Sequence, residues 1–295
     1  MNSNFASYHP AINFGFFVAV IGVGMFVRHP LFLTAGAIAA LIYALALGGK
    51  GTLKFVLCFV LPMILLFAVI NPIANPQGAT VLFDLPRGHV TLEAVLYGVL
   101  SGLMLGEVLL WFSCYNKIMT SDKFIYLFGK AIPSLSLIFS MVMRFVPNFK
   151  ARIRKISDSQ KCIGRDVTDG NVKDKIGHGM KIMSIMMSWS LESAIDTADS
   201  MKSRGYGLMG RTAFSLYRFD GRDMAAAAFM IIMTAITLAG LLMGCGRTDF
   251  FPEIVIPEID RITVISFAAY TALCFFPVAA EMKEAVVWKL SKSRI

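Results

Sequence analysis

The basic stretch KARIRKISDSQK, residues 150–161, decides how this chain is arranged in a membrane. It lies between two apolar runs, residues 131–149 and 180–201. The segment that it opens, residues 150–176, is rich in positive charge and contains Lys150, Arg152, Arg154, Lys155, Lys161, Arg165, Lys173 and Lys175. Positively charged segments of membrane proteins stay on the cytoplasmic side. If both runs crossed the bilayer, this segment would lie outside the cell, so we predict that the two runs form cytoplasmic helices that do not span.

The overall composition is that of a polytopic membrane protein. The chain has 295 residues, of which 56% are hydrophobic and 16% are charged, and its mean hydropathy is +0.66. Soluble domains carry about 25% charged residues, so the apolar excess indicates several membrane spans. The net charge of +9 indicates basic cytoplasmic segments rather than a nucleic-acid partner. The 5 cysteines and 4 histidines are dispersed, which predicts neither a disulfide framework nor a metal site.

Six segments are apolar and long enough to cross a bilayer, which takes about 20 residues. They are residues 11–27, 31–48, 53–70, 92–112, 224–246 and 262–280. With both termini inside, the acidic loop 247–261 lies outside and the basic segments lie inside, although Arg28 in the first outer turn is a minor exception. No basic segment precedes the first apolar run, so we expect no cleavable signal peptide. We predict an all-α, multi-pass protein of the cell membrane with about six transmembrane helices and cytoplasmic termini.

The spans divide the chain into three parts. Residues 1–113 hold the first four transmembrane helices, residues 114–222 form a cytoplasmic region, and residues 223–295 hold the last two helices and a basic tail. Within the cytoplasmic region, apolar residues recur every three or four positions along residues 134–161 and 180–204. Two long helices that cross beneath the membrane would fit both patterns.

The second of these helices ends in SMKSRGYG, residues 200–207. A glycine here is typical of a helix C terminus, because Gly205 can take the left-handed conformation while Arg204 favours the negative end of the helix dipole. An exposed guanidinium can also fork onto carboxylates or carbonyls of a soluble partner. Local chemistry alone leaves both interpretations open, an ordinary capped helix end and a docking tip.

Residues 120–207 resemble the T component of energy-coupling factor (ECF) transporters, the transmembrane scaffold subunit of a class of vitamin and metal importers. The stretch RFVPNF, residues 144–149, is similar to the Arg-Phe-x-Pro signature of that family's coupling region, with Arg144, Phe145 and Pro147 in place. The resemblance implies three kinds of partner: two cytoplasmic ABC ATPase subunits, one substrate-binding membrane (S) subunit and the lipid bilayer.

The end of the second helix is similar to one of the family's two x-Arg-Gly motifs, with Ser203, Arg204 and Gly205 as its residues. In that family each motif ends a coupling helix and docks in a groove of one ATPase subunit. The resemblance therefore implies that Arg204 docks an ATPase.

The first x-Arg-Gly motif departs from the family pattern. It falls in DSQKCIGRD, where the matching residues are Gln160 followed by Cys162, Ile163 and Gly164. Ile163 stands where the family has arginine. Either Arg165 or Lys161 supplies the charge, or the first ATPase contact is apolar.

The sequence contains no motif for nucleotide binding or catalysis. The nearest approach to a phosphate-binding loop is GGKGT, residues 48–52, where Gly51 replaces the required Ser or Thr. We therefore expect a non-catalytic subunit with no catalytic residues and no cofactor of its own, in which ATP is used by the partner subunits. A permease of an ordinary ABC importer and an intramembrane enzyme are the alternative functions.

The fourth span carries two further candidate features. Small residues recur every four positions, which makes a ridge for close helix packing, at Ala94, Gly98, Gly102 and Gly106. The ridge could pack within this chain or against a partner. The adjacent Glu107 is a functional candidate as an intramembrane carboxylate, or it could reach the interface or pair with a basic residue of the coupling region.

Overall fold

The computed structural model describes residues 4–75, 77–85, 88–129, 133–165, 171–208, 217–245, 248–251 and 260–292. The chain forms two compact units. The bundle unit comprises residues 1–124 and 217–295, and the insert unit comprises residues 125–216.

Helices make up most of the described chain, with one short hairpin of strands. A 3₁₀ turn, Phe5–Ser7, comes first. The other elements are α1 (Pro10–Phe26), α2 (Pro30–Phe55), a π-helical segment (Val56–Val60), α3 (Leu61–Ala74), β1 (Val81–Leu85), β2 (Gly88–Thr91), α4 (Leu92–Ile118), α5 (Ser121–Gly129), α6 (Pro133–Cys162), α7 (Val172–Ser203), α8 (Gly221–Leu242) and α9 (Arg261–Lys292).

Four helical segments in the described residues are long and apolar enough to cross a membrane. They are Pro30–Ala74, Leu92–Ile118, Gly221–Leu242 and Arg261–Met282, and α1 is a shorter apolar helix of 17 residues. The first segment has 45 residues, which corresponds to about 67 Å of straight helix and is twice the thickness of a bilayer core.

This long segment reverses direction at Gly49, whose backbone is non-helical (φ 50°, ψ −130°). Both of its arms reach the same level of α4, since Gly36 faces Glu107 while Val60 contacts Gly106. The segment therefore consists of two antiparallel arms, at the position where the sequence predicted a loop between two spans.

The direction of the chain also alternates among the remaining bundle helices. Along α1, Phe17 packs on Tyr115 with ring centroids 5.5 Å apart, and Gly24 lies beside Glu107. Since Tyr115 follows Glu107 in the sequence while Phe17 precedes Gly24, α1 is antiparallel to α4.

Helices α8 and α9 form the other antiparallel pair. Gly240 of α8 faces Ser266 of α9, and the rings of Phe229 and Phe276 stack 5.4 Å apart. At mid-length, Tyr270 of α9 reaches the level of Glu107 on α4. The six apolar arms that the structure describes in the bundle unit thus alternate in direction.

The core of the bundle unit is aromatic. Rings from four of its helices are fully buried and pack edge to face or at a tilt, and they include Phe16, Phe17, Tyr43, Trp111 and Tyr270. In contrast to these buried rings, large apolar side chains of α3 are exposed at Leu65, Leu66, Val69, Ile70 and Ile73. Such a surface is suited to lipid.

Several element boundaries differ from those predicted from the sequence. The third span was predicted to end at residue 70, before Asn71-Pro72, but α3 continues to Ala74 with Pro72 inside it. Helix α8 ends at Leu242 rather than 246, and Gly244, just after the helix end, has a left-handed backbone (φ +90°).

The sequence analysis also missed the first part of α7 and a hairpin. Helix α7 begins at Val172 rather than at residue 180. The loop after α3 contains an antiparallel hairpin in which Asp84 is opposite His89. The hairpin is fastened to α4 because the backbone N–H of Thr80 donates to Glu93 Oε1 (3.1 Å).

In the insert unit, α6 and α7 cross near the middle of each helix. The ring of Phe149 meets that of Trp189 edge to face at 5.7 Å, and the Arg152 guanidinium lies 4.3 Å from the centre of the Trp189 ring. Since α6 has 30 residues and α7 has 32, each helix extends for about half its length on either side of this contact. The predicted pair of long crossing helices is present.

Candidate functional site

The C terminus of α7 forms a Schellman motif, a common way to end a helix. Helix α7 ends at Ser203, Arg204 is the cap residue, and Gly205 takes the left-handed conformation (φ +76°). The N–H of Tyr206 donates to the carbonyl of Met201 over 3.0 Å. The prediction that Gly205 stops this helix in the left-handed region is confirmed.

The C terminus of α6 is built in the same way. The helix ends at Cys162, Ile163 is the cap residue, and Gly164 is left-handed (φ +75°). The N–H of Arg165 donates to the carbonyl of Gln160 over 2.9 Å. The two helix ends therefore correspond position by position, in the alignment that the sequence motif suggested.

Equivalent backbone positions carry different side chains at the two tips. Arg204 is exposed and forms no side-chain hydrogen bond to any residue in the described parts of the chain. Its counterpart Ile163 is 62% exposed. Arg165 stands in the position of Tyr206 and not in that of Arg204, so one tip presents a guanidinium and the other an aliphatic side chain.

The residues of the RFVPNF signature lie on α6 beside the crossing point. The rings of Phe145 and Phe149 stack 5.9 Å apart, and Arg144 lies 5.4 Å from the centre of the Phe145 ring. Pro147 lies inside the helix without ending it. This aromatic group fixes where α6 rests on Trp189 of α7.

Helix α7 has an apolar stripe on its exposed side, which we call the α7 stripe. Its members recur every three or four residues and are between 62% and 69% exposed; they are Met180, Met183, Met187, Leu191 and Ile195. Ile182 and Met186, on another face, are buried. The sequence analysis found the helical apolar repeat of this segment but did not separate the exposed stripe from the buried face, although the methionine spacing carried that signal.

Residues near the start of the chain form hydrogen bonds with the two segments that flank the insert unit. Lys123, before the insert, is 6% exposed and donates to the carbonyl of Ala6 over 2.6 Å. Burial lowers the pKa of the Lys123 ammonium below its usual value. After the insert, Arg222 donates to Ser7 Oγ (3.1 Å) and lies 4.3 Å from the centre of the Tyr8 ring.

The ridge of small residues on α4 packs against α3 of the same chain. A methyl group on Gly98 would lie 2.6 Å from the carbonyl oxygen of Phe67, and one on Gly102 would lie 2.9 Å from the Cα of Ile64. Gly106 meets Val60 in the same way, and Ala94 is fully buried. The ridge brings two backbones close together and is occupied within the chain.

Glu107 lies inside the bundle and not at its end. It is 1% exposed, and Tyr270 Oη donates to its Oε1 over 2.8 Å. Its other oxygen has no hydrogen-bond partner in the structure. The suggestion that Glu107 reaches the interface or pairs with a basic residue is wrong, because the ridge turns this side of α4 towards α1, α2 and α9.

No family model matches the chain, but several curated proteins do. It is 27% identical over 183 residues to "Energy-coupling factor transporter transmembrane protein EcfT 1" of Listeria monocytogenes serotype 1/2a (strain 08-5578). This match covers 58% of this chain and 69% of the relative. It is 27% identical over 220 residues to the protein named EcfT of Lactococcus lactis subsp. cremoris (strain MG1363), covering 69% of this chain and 82% of the relative.

A third match is more similar but shorter. The chain is 30% identical over 113 residues to EcfT of Lactobacillus helveticus (strain DPC 4571), which covers 38% of this chain and 41% of the relative. These matches extend beyond the two motifs from which the resemblance was inferred, and they confirm it.

Proposed function

We propose that this chain, which is related to the transmembrane T components of ECF transporters, is the scaffold and coupling subunit of an ECF-type importer. Its relatives support a role in transport within an assembly of several subunits. In our proposal the other subunits are two cytoplasmic ATPases, which bind and hydrolyse ATP, and one membrane subunit that binds a vitamin or a metal.

The observation that carries this proposal is the pair of matching helix tips. Two long helices that cross near their middles end in the same Schellman geometry, with Arg204 and Ile163 exposed at equivalent positions. A helix is stiff along its axis, so a force on its tip is transmitted to the crossing point. Each tip would dock one ATPase, and closure of the ATPases on ATP would move the two helices.

The two tips differ in the chemistry that they offer to an ATPase. Arg204 can donate several hydrogen bonds to carboxylates or carbonyls in a groove. Ile163 offers only apolar surface, so its groove would be apolar. The same ATPase surface would not suit both tips equally well.

The α7 stripe is the surface that we assign to the substrate-binding membrane subunit. Methionine side chains are flexible and polarizable, and they repack against partners of different shape. An apolar stripe that lies along the moving helix would carry the motion of the tips to that subunit. The micronutrient itself would be recognised there and not by this chain.

The decisive experiment reverses the charge at the exposed tip. Arg204→Glu should abolish ATP-driven uptake and reduce recovery of the ATPases with the purified chain, since one lost charged contact at a buried interface costs about 3–5 kcal/mol. Lys173→Glu makes the same charge change at the other end of α7 and should leave both properties intact. Unchanged uptake by Arg204→Glu would remove the docking role.

The first tip is tested by Ile163→Ala. Loss of part of an aliphatic contact should reduce ATPase recovery less than Arg204→Glu does. A larger effect of Ile163→Ala would reverse the assignment of the main anchor.

A further inference from the structure

A polar pocket lies at the end of the bundle unit that carries the β-hairpin. It has a volume of about 270 Å³ and is bounded by the turn between α1 and α2, the end of α3, the start of α4 and the segment after α8. In the described part of the chain it is lined by Arg28, Asn75, Gln77, Tyr97, Thr248, Asp249, Phe250 and Phe251. The volume is just below the range of about 300–1,000 Å³ typical of small-molecule sites, so the pocket suits a small polar group.

The polar side chains of the pocket have no partners within the described part of the chain. Arg28 and Asp249 form no side-chain hydrogen bond or ion pair there, and neither do the amides of Asn75 and Gln77. Thr248 is only 2% exposed, yet its hydroxyl has no hydrogen-bond partner. A buried hydroxyl without a partner is costly, so this hydroxyl is available to a group that enters the pocket.

The pocket has a firm wall that positions Thr248 and Asp249. The ring of Tyr97 on α4 lies 5.7 Å from that of Phe250 and 5.5 Å from that of Phe251. Phe250 is buried. Because these rings hold the segment after α8 against α4, the polar groups do not depend on a ligand for their placement.

Two exposed apolar side chains belong to the segments that carry pocket residues. Phe26, two residues before Arg28, is 76% exposed, and Ile73, two residues before Asn75, is 65% exposed. Acyl chains could lie against these side chains while a headgroup enters the pocket. A soluble ligand would make no use of them.

We propose that this pocket binds the headgroup of a phospholipid that carries both a phosphate and a primary amine. Arg28 forks onto the phosphate, and Asp249 accepts hydrogen bonds from the ammonium group. The hydroxyl of Thr248 donates to a phosphate oxygen. The site also accounts for Arg28. This arginine lies at the end of the bundle that we place outside the cell, where the positive-inside rule predicts few positively charged residues.

The test is native mass spectrometry of the full-length chain in detergent with added lipids of defined headgroup. Phosphatidylethanolamine should remain bound in preference to phosphatidylcholine, which has no N–H donors, and to phosphatidylglycerol, which has no amine. Arg28→Gln and Asp249→Asn should each lower retention of phosphatidylethanolamine about tenfold, as expected for loss of a charge-assisted contact. Thr248→Val, which keeps the shape of the side chain, should lower it several-fold.

The controls make the same charge changes outside the pocket. Arg261→Gln and Asp260→Asn lie at the start of α9 and should retain phosphatidylethanolamine at the level of the unmodified chain. Equal retention by the pocket variants, or equal binding of phosphatidylcholine, would overturn the proposal. Displacement of the lipid by an equal concentration of soluble phosphoethanolamine would also overturn it, because the pocket would then be a solute site.

Discussion

At the scale of single residues, a histidine followed by proline begins each of the first two helices of the bundle. Nδ1 of His9 accepts from the N–H of Ala11 (3.2 Å), and Nδ1 of His29 accepts from the N–H of Leu31 (3.3 Å). Proline is favoured at the first position of a helix, where its missing N–H is not needed. Histidine can cap in this way only while Nδ1 is unprotonated.

His29 should make stability fall in mild acid. Burial lowers the pKa of this imidazole below 6.5 in the folded chain. As the pH falls below 6.5, the unfolded chain takes up a proton that the folded chain does not, so the free energy of unfolding decreases. His29→Asn keeps a side chain that caps helices but does not titrate. The fall in melting temperature between about pH 7.5 and 5.5 should be smaller in this variant, and an equal fall would exclude the effect.

The buried carboxyl of Glu107 depends on the hydroxyl of Tyr270. Tyr270→Phe removes that donor and leaves both carboxyl oxygens without a protein partner, which should lower the free energy of unfolding by about 1–3 kcal/mol. The measurement is thermal or denaturant unfolding in detergent. In the Glu107→Gln background the same substitution should cost less, as a double-mutant cycle would reveal. Full stability of Tyr270→Phe alone would contradict this account.

At the scale of elements, the contact between α3 and α4 requires glycine. Gly102→Ala places a methyl group 2.9 Å from the Cα of Ile64, and backbone atoms cannot move aside as a side chain can. We expect a loss of about 1–3 kcal/mol of stability from overpacking. Gly22→Ala in α1 is the matched control, because no atom lies within 4 Å of the added methyl group. The melting temperature of Gly102→Ala should fall below that of the unmodified protein while that of Gly22→Ala should not, and equal melting temperatures of the two variants would contradict this account.

Hydropathy was sufficient to locate the bundle helices, because burial in lipid requires a long apolar run whatever the tertiary contacts. It was not sufficient to locate their ends. Proline usually disrupts a helix, yet Pro72 lies inside α3, which continues to Ala74. The hairpin between β1 and β2 was missed because its strands, of 5 and 4 residues, are at the lower limit of the patterns that indicate a sheet.

At the scale of the whole molecule, lysine is confined to the segments that we place inside the cell. The segments placed outside contain Arg28, Arg87, Arg247 and Arg261 but no lysine. A membrane-impermeant amine reagent should therefore modify no lysine of this chain in intact cells. After permeabilisation it should modify exposed lysines such as Lys155 and Lys173, as peptide mass spectrometry can detect.

A single substitution provides the positive control for this topology. Arg261→Lys should become modified in intact cells, because it places the only outer lysine at the exposed start of α9. Modification of Lys155 or Lys173 without permeabilisation would reverse the proposed orientation.

The candidate site was predictable in its local parts and not in its long-range ones. The tip of α7 followed from Arg204 and Gly205, since helix capping is decided by neighbouring residues. The hydrogen bond from Lys123 to the carbonyl of Ala6 joins residues 117 positions apart, and no local sequence pattern predicts such a contact. The burial of Glu107 depends on the packing of four helices, α1, α2, α4 and α9, which no local pattern predicts either.

The ring of Phe5 offers a way to observe this molecule at work. It is fully buried and lies 5.2 Å from the ring of Phe16, 6.0 Å from that of Phe276 and 6.3 Å from that of Tyr43. These rings belong to α1, α9 and α2, so small displacements among three helices alter the magnetic environment at a single point. A fluorine atom introduced on Phe5 would report such displacements by fluorine nuclear magnetic resonance while the partner ATPases hydrolyse ATP. No label on the moving helix tips would be needed.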